Sequence, residues 1–212
     1  FEPLIVQHSQ AMPQNNINVH NKIRNAEVEC TAIQKALELQ KEIGNKLHIA
    51  HLSSKAGFEL VEKAKQESEN ISCEVCPHHL FLTEDDLEKL GNFGKMNPPL
   101  RTKEDTHALW KGIRNGIIDC IATDHAPHTI AEKQKPYNEA PSGVPGVETM
   151  LPLLLQAVHE EKMSISDLVR CTAENPARIF GYTDRGSLEV GKLGDVVVVD
   201  PTAKYTIEAK NL

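Results

Sequence analysis

The chain has 212 residues, 40% apolar and 25% charged, the balance of a soluble globular protein with a good-sized core and neither disordered nor fibrous character. Its formal net charge of −7 argues against a nucleic-acid partner, which would need a surplus of Lys and Arg on one face. No run of ~18 apolar residues is available to cross a membrane, and no charged-apolar-small segment opens the chain as a secretion signal would. Cys30, Cys73, Cys76, Cys120 and Cys171 are an odd, scattered set, which suits reduced thiols in the cytoplasm better than a disulfide framework. The Phe-Glu-Pro start without an initiator Met and the stop at Asn211-Leu212 are expected to be edges of a fragment.

In chain order, short apolar runs alternate with stretches of helical spacing, which predicts repeated βα units and a parallel sheet. Residues 4–6 read as a β-rich strand leading to His8, and a polar, Asn-rich stretch covers 14–21. Ala26, Cys30, Ile33 and Leu37 fall at steps of three and four, the stripe of an amphipathic helix ending near Gly44. Residues 47–50 read as the next strand, 58–66 as a helix and 71–75 as a third strand. Thr83 with Asp86 and Thr102 with Asp105 have capping-box spacing, so each opens a helix, the second carrying Leu109 and Ile113 before Gly116. Residues 117–122 are nearly all apolar, as in a strand buried on both faces. A loop over 124–146 leads into an apolar helix through Leu151, Leu154, Leu155 and Val158, and a further helix is expected to start at Ser166. From Arg185 onward glycines punctuate the chain and residues 196–199 read as a lone valine strand, so a second unit over 185–212 is expected to follow a first over 1–184.

Three of the four strand candidates run into a potential metal ligand: His8, His51 and Asp124. In barrels of parallel strands such ends gather at one mouth, where two imidazoles and a carboxylate would make an N/O site for a divalent metal such as zinc. Each taken alone has a plainer reading, a hydrogen-bonded strand-end histidine or an Asp turn cap. Asp124 beside such a metal could both ligate and accept a proton, whereas His125 points away and His128, a turn on, could face back as a substrate contact. Asn97 sits in a rigid Asn-Pro-Pro segment that could aim its amide at a ring amide or carboxylate, or form a structural Asx turn. The Pro141-Ser142-Gly143 loop could present backbone N–H groups to an anion before a helix. Cys73 and Cys76, three apart on a strand, face opposite sides and are not expected to bind metal, and the adjacent His78 and His79 are expected to diverge into structural roles.

Taken together, LIVQHSQ, HIAHLSS, EVCPHHLFLTEDDL, GKMNPPLR, IDCIATDHAPHT, PSGVPGVETMLPLL, ENPARIFGY and SLEVGKLGDVVVVD resemble the dihydroorotases, cyclic amidohydrolases of pyrimidine biosynthesis, in the family's order over essentially the whole chain. The resemblance implies an α/β fold, a (β/α)₈ TIM-type barrel of which this chain holds the later strands, with part of a small flanking β-sandwich. It implies zinc, one or two ions, held by His8, His51 and Asp124. Asp124 would also be the catalytic acid/base, and Asn97, His128, Ser142 and Gly143 would bind substrate. The activity implied is the reversible cyclisation of N-carbamoyl-L-aspartate to dihydroorotate, with a cationic partner for the substrate carboxylate. A homo-oligomer, with aspartate transcarbamoylase as a further partner, is also implied. The family's His-x-His pair, its substrate Arg and a bridging Asp or carboxylated Lys have no counterpart here and would precede residue 1, and the stretch between His8 and Ala26 is shorter than in the family. Two other readings stay open at this level: a metal-free structural partner of aspartate transcarbamoylase, and another cyclic amidase of the dihydropyrimidinase or allantoinase type.

Overall fold

The computed structural model describes residues 2–12, 17–204 and 206–208. Its sheet is three parallel strands in the order β1 (Leu47–Ile49), β2 (Ile71–Val75) and β3 (Cys120–Ile121). Leu47 lies opposite Ile71 and Ile49 opposite Cys73, while Val75 lies opposite Ile121, so all three strands run out at the same end. Around them, in chain order, are α1 (Glu2–Ala11), α2 (Ile17–Ile23), α3 (Ala26–Ile43), α4 (Lys55–Glu67), α5 (Pro77–Phe81), α6 (Leu87–Leu90), α7 (Lys103–Arg114), α8 (Ile130–Lys133), α9 (Val147–His159), α10 (Ile165–Val169) and α11 (Asn175–Ile179).

Local chemistry sets the boundaries of the long helices. The Asn25 side chain accepts the Val28 N–H to open α3, and Gly44, at φ 77, closes it by donating to the Gln40 carbonyl. Ser54 caps α4, and Thr102 with Asp105 forms the capping box of α7. These helices pack on the sheet around Leu52, Val61, Val75, Leu109, Ile113, Ile118 and Leu154, all fully shielded; each contributes roughly 1.5–3 kcal/mol by burial. Gly112 lets α7 press onto α4, because a Cβ there would meet the Phe58 ring at 2.6 Å. The buried Asp119 carboxylate, just before β3, accepts Lys65 Nζ at 2.6 Å and the Cys73 N–H at 2.9 Å, joining α4, β2 and β3.

Several expectations are corrected. Residues 4–6 are not a strand: they belong to α1, which buries none of its residues. A three-residue apolar run cannot separate strand from helix by periodicity, and a strand needs a neighbour to satisfy its backbone, which a helix does internally. The polar stretch over 14–21 contains α2 from Ile17 on, with residues 14–16 outside the described residues. The fourth strand is only Cys120–Ile121, although Ile118 is core. The helix expected at Ser166 starts two residues earlier, where Ser164 and Asp167 form a capping box that the same spacing rule would have found. The valines at 196–199 are irregular and 38–94% exposed, since no described strand lies beside them to pair. Among the described residues no helix is long and apolar enough to cross a membrane.

Candidate functional site

Because the strands are parallel, the chain leaves each at the same end of the sheet, carrying His51 after β1, Cys76 after β2 and Asp124 after β3. His51 (φ 39) and Asp124 (φ 45) both adopt the left-handed conformation, which costs a non-glycine residue about 1–3 kcal/mol and is held only where surroundings enforce it. The charge of Asp124 acts on Cys76 and on His78, and His51 acts on His78, His79 and Glu74, so these groups lie within electrostatic reach of one another. Glu74 accepts from His48 Nε2 at 3.1 Å, and that hydrogen bond holds its carboxyl below the usual range. Burial pulls His78 down to about 4 and His79 well below an ordinary histidine, so both rings are neutral at pH 7. Burial, then Asp124, pushes the Cys76 thiol up.

Beside β1 lies a cavity of about 430 Å³ whose lining includes Arg24, His48, His51, Asn97, Pro98 and Arg101. Asn97 is exposed at the cis Asn97-Pro98 bond, and the backbone around it is gripped from several sides. His79 Nε2–H donates to the Pro98 carbonyl at 3.0 Å, His20 Nε2–H to Met96 at 3.0 Å and the Asn21 amide to Leu100 at 2.8 Å. Arg101 is buried and committed to Ser53 Oγ and the Arg24 carbonyl. The Arg24 guanidinium has no ion-pair partner among the described residues.

The loop after β3 folds against this segment. His128 Nε2 meets the Ser142 carbonyl at 3.1 Å, which brings two of the expected substrate contacts together. The Gly143 N–H donates to the Lys95 carbonyl at 2.9 Å, so it is spent within the protein. Lys133 Nζ donates to the carbonyls of Lys95, Pro141 and Gly143 at 3.0–3.1 Å, and Lys95 Nζ to those of Tyr137 and Ala140 at 2.6 Å. Burial, with Lys95 nearby, brings Lys133 down to about 8. His125 does turn away from Asp124: its Nδ1 accepts the Gly146 and Val147 N–H groups at the start of α9.

His51 and Asp124 thus arrive at the same end of the sheet, on β1 and β3 to either side of β2, with Asn97 on the same cavity as His51. His8 lies in α1, where Nδ1–H donates to the Ile23 carbonyl at 3.0 Å, rather than at a strand end. His78 and His79 do not diverge: one turn of helix sets their rings 4.4 Å apart, and Cys76 joins them. Sequence reasoning missed Arg24, Lys95, Arg101, Lys133 and His20. The signal was there for Lys95, since a lone Lys inside the Gly- and Pro-rich stretch 94–99 has mainly backbone carbonyls to satisfy it; Lys133, between Glu132 and Lys135, carries no such mark.

Parallel strands that deliver an imidazole, a thiol and a carboxylate to one end define an α/β protein of the class whose chemistry sits at strand C-termini. Within that class the chain belongs to the amidohydrolase family, whose model matches residues 24–211. It is 43% identical over 202 residues to a dihydroorotase of Halobacterium salinarum, covering 95% of this chain and 47% of that protein. A dihydroorotase of Methanosarcina mazei is likewise 43% identical over 201 residues, covering 91% and 44%. Among solved structures, L-hydantoinase (dihydropyrimidinase) from Arthrobacter aurescens matches with a TM-score of 0.81 at 34% identity, covering 90% of this chain and 43% of that one. The chain therefore spans less than half the length of each of these relatives.

Proposed function

We propose that this chain is the later part of a zinc-dependent dihydroorotase, which interconverts N-carbamoyl-L-aspartate and dihydroorotate plus water. The observation that carries the reading is the 43% identity to dihydroorotases over 95% of the chain, against 34% to the hydantoinase. On this reading residues 1–184 are barrel strands and helices, and 185–212 part of a flanking β-sandwich. The enzyme is cytoplasmic and homo-oligomeric, with aspartate transcarbamoylase as a candidate partner.

The donor chemistry fits a divalent metal: an imidazole at His51 and a carboxylate at Asp124, on left-handed backbone at the same end of the sheet, are N/O donors of the kind zinc takes. His8 keeps Nε2 for the same set, because Nδ1 is occupied by Ile23. Zinc, when bound, polarises an amide carbonyl and makes water acidic enough to react near neutral pH. The chain's own residues do the rest. The Asp124 carboxylate takes a proton from the attacking water and returns it to the departing ring nitrogen; in the biosynthetic direction it runs the transfer backwards. Asn97 and His128 orient the ring, the Ser142 and Gly143 loop closes over it, and Arg24, on the cavity shared by His51 and Asn97, meets the substrate carboxylate. The test is an assay of the zinc-loaded full-length protein with dihydroorotate and dihydrouracil. Preference for the charged ring is expected; preference for dihydrouracil would replace this reading with dihydropyrimidinase, and inactivity on both would support a structural partner.

A further inference from the structure

We propose that Cys76, His78 and His79 form a thiolate-containing site for a zinc-class divalent ion at the end of β2, separate from the ligands His8, His51 and Asp124. The three ligand atoms lie within 4.8 Å of one another and all three residues are buried. A tetrahedral ion with sulfur at about 2.3 Å and nitrogen at about 2.0 Å holds its ligands about 3.5 Å apart, so small side-chain rotations close the set.

Two independent features point to a ligand there. His79 Nε2–H is committed to the Pro98 carbonyl, which fixes the tautomer and leaves the lone pair on Nδ1. That Nδ1 is buried with no hydrogen-bond partner, and so is His78 Nε2, in residues 2% and 8% exposed. An unsatisfied buried polar atom costs about 1–3 kcal/mol, and two beside a buried thiol make a pocket of soft and borderline donors. Local geometry explains the convergence. Pro77 at the first turn of α5 bends the chain out of β2, so position 76 at the helix entrance and positions 78 and 79 in its turn come to one side. One sulfur and two imidazole nitrogens favour zinc, cobalt or cadmium over magnesium or calcium, which take oxygen. On binding, Cys76 gives its thiol proton to solvent and the two rings bind as neutral donors.

Co(II) titration of the reduced, metal-free full chain tests this, because the ligands proposed for the catalytic metal include no sulfur. A near-ultraviolet sulfur-to-cobalt charge-transfer band is expected in the wild type, absent in Cys76→Ala and retained in His51→Asn. His78→Gln, which keeps the thiol, is expected to weaken cobalt binding at least ~10-fold and serves if Cys76→Ala fails to fold. No band in the wild type, as a bridging water would give, overturns the proposal, and so does a band that survives in Cys76→Ala. Loss of dihydroorotate turnover with the band intact would count against the enzyme reading alone.

Discussion

Asp124 leaves β3 exposed and at φ 45, a conformation that a Gly would adopt at less cost. Its proposed proton transfer is worth ~10²–10⁴-fold in rate. Asp124→Ala in the zinc-loaded full-length enzyme is accordingly expected to lose turnover by at least that factor, and steady-state kinetics retaining a tenth of the wild-type rate would remove the role. Arg24 is asked for less. A charged hydrogen bond contributes about 1.5–3 kcal/mol, so Arg24→Gln should raise KM for dihydroorotate roughly ten- to hundredfold while leaving any activity on an uncharged ring unaltered; an equal loss on both rings would make it structural. His20 titrates for a different reason. Burial, with Arg24 and Lys95 as neighbouring cations, lowers its pKa to about 4, and its Nδ1 must stay unprotonated to accept Tyr137 Oη at 2.7 Å. The unfolded chain takes up this proton near 6.5 and the folded chain only near 4, so the contribution is complete above pH 6.5 and is lost as pH falls towards 4, at about 1.4 kcal/mol per unit. Denaturant midpoints for the wild type and His20→Gln across this range should show a shallower slope in the variant, and equal slopes would refute the assignment.

At the scale of elements, the segment 94–101 and the loop 140–146 behave as one clamp joined by Lys95 and Lys133, which spend their ammonium groups on backbone carbonyls. Gly143 is its tightest point. At φ 128 a Cβ would lie 2.5 Å from Ala126 Cβ and 3.0 Å from the Ala126 carbonyl, so neither the conformation nor the space admits a side chain. Gly143→Ala should therefore lower kcat/KM by pushing the loop and His128 apart while shifting the melting midpoint little, because the loop lies outside the main core; a midpoint drop without a kinetic effect would contradict the clamp. This level also shows what periodicity can carry. The helices α3, α4, α7 and α9 were legible because each has a cap or an apolar stripe, as with Asn25 and Gly44 on α3. The places of His51 and Asp124 were legible because a polar residue closing a short apolar run is a local pattern. The Cys76, His78 and His79 cluster was not, since alternation along a strand says nothing of the turn that Pro77 makes next. The clamp was hidden for another reason: its bonds join residues up to 45 positions apart.

At the scale of the whole molecule, surface area is the informative quantity. A folded monomer of 23.5 kDa is expected to expose about 9,800 Å², whereas this chain exposes 12658 Å². Among the described residues, uncovered apolar side chains are part of that surface. Among the described residues β1 pairs only with β2, α1 buries nothing, and Phe180, Leu188, Val190 and Val198 stand 66–108% exposed. An open strand edge beside a cavity and a bare valine run are surfaces that proteins ordinarily cover. The same surfaces explain why the strands expected at 4–6 and 196–199 did not form, since pairing is a property of two strands and neither has a described partner. The chain expressed alone is thus expected to self-associate, with light scattering showing species beyond the monomer at micromolar concentration. Coexpression with the coding sequence upstream of Phe1 should shift it to a discrete complex that binds zinc tightly and turns over dihydroorotate. A monodisperse monomer that binds zinc stoichiometrically and is active by itself would show that the exposed edge and valines need no cover, and that the site at the strand ends is already complete.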